Sequence, residues 1–393
     1  MKIVYMSDAS TISTGYGRVS RMLCQAFHDA GHSVVQIGWG HDGSPHNFPY
    51  TIIPCNTQKD RFGEDILARY IREEKPDILF TLGDPWMTEY IPMMDERSAV
   101  TWISYFPIDG YPIPPQWHNW IKNIDVPIVF SQFAKDTIEK EVGRPVSLIY
   151  HGVETQKFVP LDKKFIKEEY GLNGKFVVGT VARNQPRKNL PALVKAFGEF
   201  AKNKDDVALY LHSQIIDVGW NLAELISRFG LSDKAFTTPN FNAIKGISDD
   251  ELVGIYNLFD IFVLPTMAEG FGLPIAEAQS CEVPVLVTNF SACSELVVDR
   301  QELIKVKDTI VMGRNIEQAI ADTDDIIRKL NFFYNDWKKN NSKKLTQYGR
   351  EGRKKMQNID WERICKEFNK VLVQIEPHAL ARPKVVYPNF YRV

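Results

Sequence analysis

Short apolar or β-branched runs alternate with helix-length amphipathic stretches along most of the chain. The first series of runs is Ile3 to Met6, Val34 to Gly38, Ile78 to Leu82, Val100 to Phe106 and Ile128 to Ser131. A second begins at Phe176 to Ala182 and continues through Val207 to His212, Phe236 to Thr238, Ile261 to Pro265 and Val283 to Thr288. A strand covered on both faces has no polar side to alternate with, so runs of this kind separated by helices predict parallel sheets packed between helices. Two doubly wound, Rossmann-like α/β domains in tandem follow. The seam is expected near His151-Gly152-Val153-Glu154, ahead of the polar stretch Lys157 to Lys175 with its Pro160, Gly171 and Gly174. That division gives an N-terminal domain over 1–156, a C-terminal domain over 157–357 and a terminal segment over 358–393. In the last, Trp361, Ile364, Phe368, Val371, Leu372 and Ile375 keep a 3.6-residue period behind Asp360, a good N-cap. This predicts an amphipathic helix to Ile375 that packs back onto the first domain. Pro377, Pro383 and Pro388 should end it, and Tyr387, Phe390 and Tyr391 make the tail aromatic enough to dock on a surface.

The length of 393 residues suits two large domains, and an apolar fraction of 44% with 24% charged residues lets both bury cores and excludes wholesale disorder. Lys+Arg 47 against Asp+Glu 49 leaves a net charge of -2, which argues against a dedicated nucleic-acid binder. The five cysteines, Cys24, Cys55, Cys281, Cys293 and Cys365, form no C-x-x-C pair, so neither a disulfide framework nor a zinc knuckle is expected and a reducing, cytoplasmic setting is. The apolar start Ile3 to Met6 is too short for a signal-peptide core, and no apolar run approaches membrane-spanning length. Any membrane contact would be peripheral. The Lys-rich run from Lys338 to Lys344 reads first as a solvated face and only secondarily as a membrane or polyanion contact. The sequence carries no reading of oligomeric state.

The densest chemistry lies in Phe262 to Ala278, which reads strand, glycine loop, helix. Pro274 suits the first helical position, where no N–H is needed. The amides of Gly270, Phe271, Gly272 and Leu273 would then point with the positive helix end out of the sheet's mouth, a ready anion site. Glu269 on the loop and Glu277 in the first helical turn flank it eight residues apart. Such carboxylates accept hydrogen bonds from sugar or ribose hydroxyls, so the implied ligand joins a phosphate to a polyol. The plainer alternative leaves Glu277 as a dipole complement and Glu269 as a surface residue.

Glu269 and Glu277 around Gly-Phe-Gly-Leu-Pro resemble the Glu-x7-Glu signature of the retaining glycosyltransferase family four, of GT-B fold. The resemblance covers roughly residues 145 to 300 well, with Ile255-Tyr256-Asn257 to Pro265 similar to the family's approach strand. It implies two Rossmann-like domains facing across a cleft. It also implies a nucleoside-diphosphate sugar (UDP, GDP or ADP) as donor and a glycan, lipid or small-molecule hydroxyl as acceptor. Carried over by residue, Glu269 would contact the donor sugar, Glu277 the ribose, and Phe271, Gly272 and Leu273 the sugar hydroxyls and diphosphate. After the strand ending at Ala182, Arg183 and Lys188 match the family's cation pair, with Arg187 an alternative for either. Their removal should cost turnover and leave stability nearly unchanged.

In Ser10 to Ser20, Gly15 and Gly17 would let the backbone approach a phosphate, and the resemblance places this loop over the donor. Ser20 stands where the dinucleotide fingerprint needs its third glycine, which argues against NAD. After Phe106 many relatives carry a sugar-contacting histidine; here Asp109 either substitutes for it or is a turn residue before Gly110. Trp86, Tyr111, Trp117 and Trp120 could stack on an acceptor sugar, though packing is the commoner role. His151 and His212 lack partners at metal spacing, and Asp322-Thr323-Asp324 sits in a helix-like stretch from Ile316 to Leu330. No metal and no further cofactor are expected. An epimerase or hydrolase on the same fold, or a non-catalytic nucleotide- or carbohydrate-binding subunit, is the alternative function.

Overall fold

The computed structural model describes residues 1–55, 60–242 and 246–384, so Tyr387, Pro388, Phe390 and Tyr391 lie outside the described residues. The chain divides into two compact units. The first comprises Met1–Ile108, Ile113–His151 and the chain from Glu362 on; the second comprises Asp109–Pro112 and Gly152–Trp361. The main division thus falls between His151 and Gly152, within the segment read as the seam and a few residues ahead of the boundary at 156, and the short 109–112 segment belongs to the second unit.

In the first unit, strands β1 (Lys2–Asp8), β2 (Ser33–Trp39), β3 (Thr51–Pro54), β4 (Ile78–Leu82), β5 (Thr101–Phe106), β6 (Val126–Val129) and β7 (Ser147–Leu148) form one sheet in the order β3-β2-β1-β4-β5-β6-β7. All its pairings are parallel, with Ile3 beside Val34 on one side and Ile78 on the other. Helices α1 (Gly15–Asp29), α2 (Glu64–Glu74), α3 (Pro115–Asn123) and α4 (Gln132–Glu141) provide the connections. Thr14 caps α1 by accepting from the Gly17 amide and donates to Asp8 at 2.6 Å.

In the second unit, β8 (Phe176–Val181), β9 (Val207–His212), β10 (Ala235–Thr237), β11 (Ile261–Leu264), β12 (Val285–Thr288) and β13 (Leu303–Ile304) run parallel in the order β10-β9-β8-β11-β12-β13. Around them lie α5 (Lys163–Glu169), α6 (Leu190–Phe200), α7 (Leu222–Arg228), α8 (Asp249–Leu258), α9 (Leu273–Ser280), α10 (Cys293–Leu296), α11 (Thr323–Lys339) and α12 (Lys343–Met356). An antiparallel hairpin of β14 (Val306–Val311) and β15 (Glu317–Ala321) was not foreseen. It corrects the helix-like reading of 316–330: helix begins only at Thr323, and Asp322 is its N-cap, accepting from the amides of Asp324 and Asp325. The Asp-Thr-Asp pattern is therefore a cap. Similarly, Ile255-Tyr256-Asn257 belongs to α8 rather than to an approach strand.

The terminal helix α13 (Trp361–Ala381) runs past Pro377, which was expected to end it. Proline removes one helical hydrogen bond, but here packing on both sides of it sustains the helix. Phe368 lies 6.4, 5.8 and 4.9 Å, centroid to centroid, from Phe27, Phe80 and Tyr105. Beyond the proline Ala379 is buried, and Arg382 donates to the Val100 carbonyl and, at 2.9 Å, to Asp125.

Two glycines give opposite predictions. A Cβ on Gly349 of α12 would lie 2.1 Å from the Glu282 carbonyl oxygen, whereas one on Gly254 of α8 would meet nothing within 4 Å. Gly349→Ala should destabilise by about 1–3 kcal/mol, while Gly254→Ala should stabilise by about 0.5–1 kcal/mol by relieving helix-interior glycine entropy. Urea denaturation of both variants checks the pair.

Candidate active site

In a doubly wound sheet, adjacent strands whose connections leave in opposite directions open a crevice at their carboxyl ends, and ligands bind there. In the second unit these strands are β8 and β11. Beyond β8 comes a single 3₁₀ turn, Pro186–Lys188, which ends at Asn189 in the left-handed region (φ 49°) before α6. Beyond β11 comes the loop that leads into α9.

The backbone laces these two loops together. Met267 N donates to the Arg187 carbonyl at 2.7 Å, Thr266 Oγ1 donates to the same oxygen at 3.1 Å, and the Arg187 guanidinium returns a bond to the Ala268 carbonyl. Two cations and one carboxylate are forced together as a result. Lys188 Nζ stands 2.5 Å from Glu269 Oε1, and Arg187 Nη1 stands 3.1 Å from Glu269 Oε2. Lys188 and Glu269 are 9% and 5% exposed, so each charge depends on the other. Burial alone would raise the Glu269 carboxyl, but the Lys188 ammonium and then the Arg187 guanidinium outweigh it and hold it at about 2. Burial lowers the Lys188 ammonium from its usual range, with Glu269 opposing. The Glu269 amide donates to Ser291 Oγ at 2.9 Å, tying the cluster to the loop after β12.

The glycine loop follows directly. Gly272 is the N-cap of α9 with φ 99°, a conformation that favours glycine, and Pro274 occupies the second helical position rather than the first. None of the amides of Gly270, Gly272 and Leu273 donates to a backbone acceptor among the described residues. Glu277 is the fifth residue of α9, past the first turn where the sequence reading put it. It is buried, and its Oε2 accepts from the Tyr256 hydroxyl at 2.6 Å. A dipole complement at a helix end does not need such a partner, so its setting favours a held hydrogen-bond acceptor.

The remaining predicted residues separate. Arg183, half exposed, pairs with Asp217 through Nε at 2.8 Å and Nη2 at 3.3 Å, while Arg187 takes the place beside Glu269. Burial raises the Asp109 carboxyl; the Arg187 charge opposes this and the Glu269 charge adds to it, which places Asp109 within electrostatic reach of the cluster. Its segment is anchored by the bond from Glu317 N to the Tyr111 carbonyl, 2.7 Å. Gly15 and Gly17 belong to the first unit, at the carboxyl end of β1, where its own sheet reverses between β1 and β4. A Cβ on Gly17 would lie 2.5 Å from the Ile12 carbonyl oxygen, so the loop's own backbone already requires that glycine. Trp117 and Trp120 are buried and donate to Glu89 and to the Thr88 carbonyl, a packing role. His151 is buried against Tyr105, and burial pushes it down to about 3; His212, at about 4, bonds Thr238. Among the described residues no group of three or more His, Cys, Asp or Glu is placed to hold a metal ion.

Sequence reasoning missed Asp217, Tyr256 and Ser291. Tyr256 sits in the apolar stripe of α8 and reads as core, and no local pattern marks Asp217 or Ser291 as partners of residues 34 and 22 positions away.

The pairing also corrects the expectation that Lys188 is dispensable for stability, since removing it strands the buried Glu269. Breaking such a pair from either side costs about 3–5 kcal/mol, so Lys188→Ala and Glu269→Gln should both unfold at lower denaturant at pH 7. The Glu269 carboxyl is held below its ordinary value of 4.5, at about 2. Its contribution is therefore present above pH 4.5 and lost as pH falls from 4.5 towards 2. Glu269→Gln should lose this part of the wild-type acid dependence, as denaturation at a series of pH values will reveal.

Comparison with known proteins bears on the same segment. Residues 162–352 match the family model of glycosyl transferases group 1. The chain is 28% identical over 260 residues to the capsular polysaccharide biosynthesis glycosyltransferase CapM of Staphylococcus aureus, a match covering 63% of this chain and 60% of that protein. Among solved structures, sucrose-phosphate synthase from Thermosynechococcus elongatus is similar over 96% of this chain and 100% of its own, with TM-score 0.77 at 17% identity. Anabaena HepE in complex with UDP and glucose is similar over 95% of this chain and 100% of its own, with TM-score 0.70 at 16% identity. These likenesses show the fold: two Rossmann-like parallel-sheet domains, as in GT-B glycosyltransferases. No helix among the described residues is long and apolar enough to cross a membrane. The segment that carries the Lys188–Glu269–Arg187 cluster lies within residues 162–352, the part of the chain that matches the group 1 glycosyl transferase model.

Proposed function

We propose that this protein is a retaining, metal-independent glycosyltransferase that moves a sugar from a nucleoside-diphosphate sugar to the hydroxyl of a glycan, lipid-linked or small-molecule acceptor. The observation that carries the reading is the buried Lys188–Glu269–Arg187 cluster at the β8/β11 crevice, beside the amides that open α9. As the bond from the anomeric carbon to the phosphate breaks, negative charge grows on the diphosphate and positive charge on the carbon. Cations and amides already fixed in place favour that transition state over the ground state. The match to group 1 glycosyl transferases and the UDP held by HepE support the donor class.

Glu277, steadied by Tyr256, suits the ribose hydroxyls. Arg183 and Lys188 neutralise the departing diphosphate, with Gly270, Phe271, Gly272 and Leu273 supplying amides. Gly15 and Gly17 are donor-binding candidates on the family resemblance alone. Asp109, whose carboxylate feels Arg187, is the group offered to the sugar and the developing positive charge. Glu269 has both oxygens engaged by cations. Its main work is therefore to keep Lys188 charged, with its remaining lone pairs open to a sugar hydroxyl.

This changes one expectation. A purely sugar-binding Glu269 would leave nucleoside-diphosphate affinity intact in Glu269→Gln. Held as it is, its loss lets burial discharge Lys188, so calorimetry should find UDP, GDP or ADP bound more weakly to both Glu269→Gln and Glu277→Gln, the latter by roughly 1.5–3 kcal/mol for a charged hydrogen bond.

The direct test incubates the protein with UDP, GDP and ADP sugars, with and without carbohydrate and lipid-linked acceptors, and follows nucleotide release. Release that depends on acceptor, survives excess EDTA and falls on the order of 100-fold in Arg183→Ala and Lys188→Ala is expected. Acceptor-independent release would make it a hydrolase, isomerised donor an epimerase, and binding without turnover a non-catalytic subunit.

A further inference from the structure

Arg183 is 51% exposed, yet both Nε and Nη2 are engaged by one carboxylate, that of Asp217. Asp217 sits on the loop after β9, between Ile216 and Val218, which are 64% and 62% exposed. A loop that turns its large apolar side chains to solvent is not held by a core of its own. It is fastened instead by Asn184, the residue next to Arg183.

Asn184 is fully buried. Its Nδ2 lies 3.2, 3.3 and 2.6 Å from the carbonyls of Gln214, Ile215 and Trp220, and its Oδ1 accepts from Trp220 N at 3.0 Å. Its own carbonyl accepts from Gly219 N at 2.9 Å, and a Cβ on Gly219 would lie 2.3 Å from Asn184 Oδ1, so the approach requires glycine. Leu222 N closes the loop on the Ile215 carbonyl at 3.0 Å. One buried side chain therefore fixes the place of Asp217 relative to the backbone that carries Arg183.

A planar guanidinium has two hydrogen-bonding edges. Asp217 takes the Nε/Nη2 edge, which leaves Nη1 and the second Nη2 hydrogen directed away from it. An unrestrained exposed arginine gives up rotamer freedom when it binds a ligand; one already clamped does not. We propose that Asp217, fixed by Asn184, is a positioning residue that presets Arg183 to receive the diphosphate of the donor on its outer edge. The inference rests on the donor reading above and adds to it a residue that touches no substrate.

The test uses the full chain. Asp217→Asn keeps size but weakens the clamp, and Asp217→Glu restores the charge. Asp217→Asn should lower kcat by about 10- to 100-fold, by analogy with the loss of the hydrogen-bond partners that orient metal ligands, with unchanged thermal stability and a smaller change in KM. Asp217→Glu should recover part of the loss. In an Arg183→Ala background, Asp217→Asn should cost nothing more. Wild-type kcat in Asp217→Asn, an additive loss in the double variant, or tighter UDP binding by Asp217→Asn would overturn the proposal, the last by making Asp217 a competitor of the ligand. Exchange of the Arg183 Nε hydrogen, followed by NMR without any substrate, separates the clamp from the function reading. It should be slow in the wild type and fast in Asp217→Asn, and equal rates would remove the clamp whatever the enzyme does. A wild type that turns over no nucleotide sugar would remove the function reading and the proposed role in it.

Discussion

The second unit is organised around a charge that cannot be left alone. Glu269 is buried between Lys188 and Arg187 at the end of two neighbouring strands, and each of these groups would be costly there without the others. The pairing and the backbone bonds around Arg187 together fix where the loop after β11 meets the turn after β8. That meeting fixes where α9 starts and hence where the amides of Gly270 to Leu273 lie. A crevice that topology opens between the two strands thereby carries cationic groups, with Glu269 opposing the pull of burial on the Lys188 ammonium.

Other features follow from it. Gly272 supplies the left-handed turn that lets α9 begin immediately after the cluster. Tyr256 reaches from α8 to hold Glu277 four positions deeper in α9 than Leu273. Ser291 and the Glu269 amide bring the loop after β12 into the same set of bonds. Arg183 stands apart with Asp217, so the cations after β8 are not one undifferentiated basic loop: one is braced at the surface and two share a buried carboxylate.

Much of this was legible in the sequence because it is local. The apolar runs marked the central strands of both sheets within a few residues, since a strand buried on both faces is apolar at every position. The strand, Gly-Phe-Gly-Leu-Pro and helix pattern located the loop, and the resemblance to glycosyltransferases named the chemistry. What failed was non-local or too short. The strands β3, β7 and β13 span four residues or fewer and carry no period. The β14/β15 hairpin was hidden because Asp322 and the apolar positions on either side of it imitate a continuous helix, when in fact a strand ends and a capped helix starts there. Pro377 misled because propensity was read without Ala379 and Arg382, which dock the helix beyond it. The ionic partners of Glu269, Lys188 and Arg187, are 81 and 82 residues distant along the chain and that of Arg183 is 34, and no spacing announces them.

The central claim is that the crevice between β8 and β11 is an anion site made by this cluster and the amides that open α9. Hydrogen–deuterium exchange of the whole chain, with and without a saturating nucleoside diphosphate, reads those amides directly. The account predicts slowed exchange at Gly270 to Leu273 together with residues 183–188. Exchange unchanged at Gly270 to Leu273, with protection confined to the Ala9 to Gly17 loop of the first unit, would contradict it.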